Sequence, residues 1–177
     1  MTIAPDRLTT ARTVGLRIQV SDLSDFQAYY ADPLVMRTLS ADGLPWPARE
    51  SARLFKRHMR HWSEHGFGTW VFRDGDSGRF VGRAGLRVVD VTADSDVEVF
   101  YGIASDLWGQ GLGTEVAREV IRVAFDDLRW SEVVGFTLPS NLPSRRILER
   151  AGFERDGDIT HAGLRHLFYR LARTPDS

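Results

Sequence analysis

The sequence predicts an α+β fold: a mixed, mostly antiparallel central sheet flanked by helices. Three observations predict it. Strand-like runs between 69 and 103 are separated by turn-rich segments. Two long stretches, 48–65 and 114–128, carry apolar residues at helical spacing. The chain then closes on another pair of strand-like runs.

Taken in order, residues 14–20 alternate apolar and polar, which puts Leu16, Ile18 and Val20 on one face of a strand. Ser21 or Asp22 can cap a short helix to about Ala31. Asp32-Pro33 interrupts it, and 34–39 gives another turn or two. Two prolines and a glycine make 42–47 a loop. The 48–65 helix is amphipathic and stops at Gly66. Strands at 69–73, 80–89 and 97–103, with turns at 74–78 and 90–96, form a meander. The 114–128 helix turns Val116, Val120, Val123 and Ala124 to the core. A strand at 132–138, a helix at 140–151 stopped by Gly152, and a hairpin of 153–159 with 164–171 complete the chain. The expectation is one domain over 1–177, with its core at about 14–172 and flexible termini.

A chain of 177 residues is most simply one domain, and 42% apolar residues with ten Phe and five Trp suffice for a core. Charged residues reach 27% but the net charge is only −1, which argues against nucleic acid as a partner. There are no cysteines, so disulfides, thiolate metal sites and an acyl-cysteine intermediate are excluded. The first thirteen residues lack the apolar run of a signal peptide, and no segment approaches the ~20 apolar residues that span a bilayer. A cytoplasmic protein without a membrane partner is expected.

The most informative motif is Trp108-Gly109-Gln110-Gly111-Leu112-Gly113-Thr114-Glu115, between a strand and a long helix. Glycines let the backbone approach a ligand closely, and the N–H groups at a helix start attract anions. The motif therefore reads as a phosphate cradle. A dinucleotide fold would need Gly-x-Gly-x-x-Gly and an acidic residue ending the next strand, whereas Glu132 begins one. A nucleotide P-loop would need Gly-Lys-Ser/Thr, and here Thr114 follows Gly113 directly.

Four segments in this order resemble the GNAT acetyltransferase superfamily, in particular the branch of ribosomal-protein N-terminal acetyltransferases. They are Asp32-Pro33-Leu34-Val35-Met36, Gly82-Arg83-Ala84-Gly85-Leu86, Glu98 through Gly113, and Asn141-Leu142-Pro143-Ser144 through Phe153. The resemblance implies the GNAT acyl-CoA N-acyltransferase fold. It also implies that backbone amides from about Gly109 to Thr114, within the run Trp108, Gly109, Gln110, Gly111, Leu112, Gly113 and Thr114, hold the pyrophosphate of acetyl-CoA.

Acetyl transfer to an amine needs a base for the amine, donors for the oxyanion and a mild acid for the thiolate, since such thiols have pKa values near 8.5. Glu98 is the expected general base, acting through water. Partial burial would raise its pKa, although strand alternation places it opposite Val97 and Val99 unless a bulge intervenes. Ser144, where the ribosomal-protein branch carries a serine, is the expected acid, with an ordered water as the alternative. The tyrosine that many relatives carry seven residues after the asparagine is here Leu148. Asn141 resembles the residue that bonds the pantetheine arm, with an N-cap role also open. A backbone N–H near Ile103 is the expected oxyanion donor. Arg146 is assigned to the cofactor's ribose phosphate, against a plain exposed face on which Arg145 pairs with Glu149. Trp46 and Tyr101 are assigned to the acceptor site, with a loop-anchoring role for Trp46 equally open.

His58, His61 and His65 share a helix face but lack zinc-site spacing, so no metal is expected and a polar face toward the entrance or a partner is the default. The expected function is direct transfer from acetyl-CoA to a primary amine. That amine is a peptide α-amino group or a small molecule, and the enzyme a monomer or homodimer. A non-catalytic acyl-CoA-binding or regulatory module is the alternative.

Overall fold

The computed structural model describes residues 3–92 and 96–173. The expected turn at 90–96 and the expected flexible termini therefore fall partly outside the described residues. Eight strands form one sheet in the order β1-β2-β3-β4-β5-β6-β8-β7. They are β1 (Arg7–Thr9), β2 (Thr13–Arg17), β3 (Thr69–Asp74), β4 (Phe80–Val89), β5 (Asp96–Ile103), β6 (Glu132–Thr137), β7 (Glu154–His161) and β8 (Leu164–Ala172). Every neighbouring pair is antiparallel except β5 and β6. The helices are α1 (Leu23–Ala31), α2 (Pro33–Met36), α3 (Ala48–His65), α4 (Leu112–Arg122) and α5 (Leu142–Arg150).

Local chemistry sets most boundaries. Asp32 accepts a hydrogen bond from the Leu34 amide and Pro33 opens α2, while Gly66 ends α3 in the left-handed region at φ +73°. Asn141 caps α5 by accepting from the Ser144 amide, with proline in its first turn. The central strands β3 and β4 are buried on both faces, because α1 and α3 lie on one side and α4 packs on the other, while α5 covers β6. Val116, Val120, Val123 and Ala124 are all fully buried, as their spacing requires. Past Arg122 the α4 helix widens into a π-turn, Val123–Asp127.

Three expectations are corrected here. The ordered chain begins before residue 14: Arg7–Thr9 pairs with β2, and Ala4 and Leu8 enter the core. Leu16, Ile18 and Val20 do not share a buried face. Only Ile18 is buried, and Val20 lies 73% exposed in a short 3-10 turn, Val20–Asp22, after β2 has ended. Asp22 does not cap α1 with its side chain but accepts from the Gln19 amide and the Arg73 guanidinium.

Candidate active site

A 3-10 turn, Ser105–Leu107, leads from β5 into the glycine elbow. Gly109 and Gly111 both sit at φ +79°, a conformation glycine adopts without strain. A Cβ on Gly109 would meet nothing within 4 Å, and one on Gly111 would meet only the tip of Arg12 at 3.8 Å. The elbow is therefore bare backbone open to solvent, leading into the N-terminus of α4. This is the shape a diphosphate fits. Gly113 differs from these two, since a Cβ there would lie 2.7 Å from Ile147, and so it permits close packing of α4 on α5. Trp108 donates its indole N–H to the Ile103 carbonyl at 2.8 Å, tying the elbow to the end of β5.

The elbow is strapped from the N-terminus. Arg12 donates to the Gln110 carbonyl at 2.9 Å and ion-pairs with Glu115 in the first turn of α4 at 2.6 Å. Glu115 also accepts from the Thr10 hydroxyl and the Arg12 amide. Burial works to raise the Glu115 pKa, but these hydrogen bonds and the guanidinium outweigh it and hold the carboxyl below its usual range. Hollows of about 520 and 620 Å³ flank the strap. The first is lined by Gly111, Thr114 and Arg118, and the second by Arg12 and Gln110. Sequence reasoning missed Arg12 and Arg118. Arg118, four residues past Thr114 on the same helix face, was legible by spacing, but the contact of Arg12 across 103 residues was not. Arg146 is exposed on α5 and lines neither hollow, and Arg145 donates toward the Pro139 carbonyl at 3.5 Å instead of pairing with Glu149.

Beside the elbow the sheet opens. The β5–β6 ladder is a single parallel register pair, Glu98 with Val134, and no further pairing joins the strands toward their C-terminal ends. The Tyr101 hydroxyl crosses this gap, donating to the Ser144 carbonyl at 2.9 Å and lying 3.2 Å from Ser144 Oγ. Burial pushes the Tyr101 pKa well up, so its phenol stays protonated. Asn141 uses its carbonyl as the helix cap and donates through Nδ2 to the Thr38 carbonyl at 3.4 Å, linking α5 to the segment after α2.

The β4–β5 register runs without a bulge. Glu98 and Phe100 therefore face α1 and α3, while Val97, Val99, Tyr101 and Ile103 face the other way. Glu98 is only 3% exposed and ion-pairs with Arg87 on β4. It is no solvated strand residue. His58 is also buried and lies 2.6 Å from the Thr69 hydroxyl. Burial, then Arg83 and Arg87, push its pKa well down. The expected polar histidine face is thus corrected, because the α3 face carrying His58 turns onto Phe26 and Phe100. Trp46 stacks on Tyr30 at 5.2 Å and bonds its carbonyl, which anchors the loop before α3.

Residues 15–154 match the family described as acetyltransferase (GNAT) domain, and the chain belongs to that family. An Aspergillus fumigatus protein named FsC-acetyl coenzyme A-N(2)-transacetylase is 35% identical over 129 residues, covering 68% of this chain and 53% of that protein. The chain spans between 48% and 61% of the length of that protein and of two further curated relatives. Among solved structures, a GNAT-family acetyltransferase from Bordetella pertussis superposes with TM-score 0.81 at 23% identity, covering 95% of this chain and all of that one. Mycobacterium smegmatis RimJ, solved with CoA-disulfide, superposes with TM-score 0.78 at 19% identity, covering 98% and 91%. These two likenesses concern the fold. Among the described residues no helix is long and apolar enough to cross a membrane, and no group of three His, Cys, Asp or Glu could hold a metal.

Proposed function

We propose that this chain is an acetyl-CoA-dependent N-acetyltransferase that passes the acetyl group directly to a primary amine in a ternary complex. One observation carries the reading: the bare elbow at the end of β5 stands beside the gap where β5 parts from β6. Backbone amides from Gly109 to Thr114 would hold the diphosphate, with Arg12 and Arg118 at its flanks. The unpaired edge of β5 near Ile103 would offer an amide to the acetyl oxygen. The name of the Aspergillus fumigatus relative, an N(2)-transacetylase, supports an amine acceptor.

Ser144 would donate to the departing sulfur, with its carbonyl and hydroxyl held in place by Tyr101. Glu98 would take the amine's proton through water. It lies three residues along β5 from Tyr101, about 10 Å at strand spacing, which leaves room for such a relay. With no cysteine in the chain, an acyl-thioester on the protein is not available. The acceptor is a small-molecule amine or a peptide α-amino group.

Isothermal calorimetry with CoA and thiol release from acetyl-CoA across an amine panel test this reading. Binding followed by amine-dependent thiol release is expected. Binding with no amine accelerating release would favour the non-catalytic acyl-CoA-binding module instead. No binding at all would remove the cradle.

A further inference from the structure

The face of the sheet that carries Glu98 has an unusual charge balance. Arg83 and Arg87, four residues apart on β4, project to the same side as Glu98 and flank one ring: their guanidinium carbons lie 5.2 and 5.5 Å from the centre of Phe100. Glu98 is the one carboxylate shown pairing with either of them. His58, on α3 against the same Phe100 ring, is held neutral. The cluster thus contains one more cation than anion, in a place where water cannot freely compensate it.

Neither arginine is saturated. Arg83 is only 8% exposed and packed over Tyr29 and Tyr30, yet its Nε finds no partner among the described residues. A buried cation without a carboxylate is costly, and an incoming anion would offset that cost. Arg87 meets Glu98 through Nε, which leaves its two terminal amino groups for a second anion, and its side chain is 33% exposed. It leans over Phe136, whose ring contacts His161 and His166 of the closing hairpin. Burial, then Arg87 and His166, push the His161 pKa down, consistent with a positive local field.

Carboxylates on the flanking elements are already engaged. Asp32 accepts from the Leu34 amide and the Ser105 hydroxyl, Asp96 accepts from Thr92 and lies beside Arg170, and Asp158 is held by Arg155 and Arg165. A polycation would need several free carboxylates to replace its water, and this face does not supply them.

We propose that the acceptor is a primary amine carrying a carboxylate or phosphate close to its nitrogen, with Arg87 holding the anion and Glu98 facing the amine. The inference rests on the acetyl-transfer reading and narrows its acceptor. An adjacent cation and anion on β4 and β5 complement the paired charges of an α-amino acid or a phosphoalkylamine. Polyamines and aminoglycosides bring cations to a site that already has an excess of them.

The test compares kcat/KM for an α-amino acid, its uncharged amide, O-phosphoethanolamine, spermidine and kanamycin, using the full chain and acetyl-CoA. The anionic amines are expected to exceed the amide by roughly tenfold to hundredfold, the range of a hydrogen-bonded ionic contact. Preference between amino acid and phosphoamine tells carboxylate from phosphate. Arg87→Met should abolish the acid-over-amide preference through KM, and Arg87→Lys should restore part of it. The wild-type ratio stands as a test even if the methionine variant fails to fold. Equal turnover of acid and amide, or preference for spermidine or kanamycin, overturns the anion site and leaves acetyl transfer intact. CoA binding without release by any amine overturns acetyl transfer itself.

Discussion

At the residue scale the decisive fact is how one strand divides its work. Because β4 and β5 pair without a bulge, Glu98 and Tyr101 point to opposite faces. One side chain then reaches the face under α1 and α3, while the other reaches α5. A proton leaving the amine and a proton reaching the sulfur would thus be handled on opposite sides of the same backbone. Glu98→Gln is expected to lower kcat by about 10²-fold or more, the lower end of general-base contributions, without weakening CoA binding. Tyr101→Phe should lower kcat more modestly by loosening Ser144, and should leave the shape of the pH–rate profile below pH 9 unchanged, since burial already keeps this phenol protonated. Steady-state rates beside CoA titrations check both. A Glu98→Gln enzyme with full kcat would remove Glu98 from the chemistry.

At the element scale, three glycines that look alike in the motif do two different jobs. Gly109 and Gly111 supply left-handed backbone and an open surface, whereas Gly113 supplies space between two helices. Gly111→Asn, which tolerates left-handed backbone while filling the open surface, should therefore weaken CoA binding tenfold or more with little change in stability or in how the helices pack. Gly113→Val should instead destabilise the fold by about 1–3 kcal/mol, as overpacking does. Calorimetry and denaturant unfolding separate the two, and the opposite pattern would reverse the assignment. The strap from the β1–β2 turn belongs to the same scale. Arg12→Ala leaves the Gln110 carbonyl and Glu115 without their guanidinium, so KM for acetyl-CoA should rise while kcat at saturation holds. An unchanged KM would mean that the strap is dispensable for binding.

At the scale of the whole molecule, burying an imidazole couples stability to pH. His58 binds a proton far less readily in the fold than in the unfolded chain, where its pKa is near 6.5. Below about pH 6.5 the unfolded state takes up a proton that the native state refuses, so stability falls with acidification and is fully present above that value. The depressed pKa values of His61 and His161 act with the same sign. Thermal unfolding should therefore shift to lower temperature between pH 7 and pH 5.5, and His58→Gln should flatten that slope. An identical slope in the variant would place the sensitivity elsewhere.

Apolar spacing near 3.6 determined the two long helices, and turn residues bounding strand-like runs determined the meander, the closing hairpin and so the class of fold. The strands β3 and β4 are buried on both faces and β7 is mostly exposed, so no period of two is written in them. Glycine spacing likewise marked the elbow, since its backbone conformation is a property of the residues themselves. Other features were decided only in three dimensions. Arg7–Thr9 becomes a strand because β2 offers it an edge, His58 is buried because of how α3 rolls onto the sheet, and β5 parts from β6 past the Glu98–Val134 pair, where Tyr101 reaches across to Ser144. The partners of Glu115 and Ser144 belong to this second group. Each is brought from a distant stretch of chain, and no local pattern records which distant side chain will arrive.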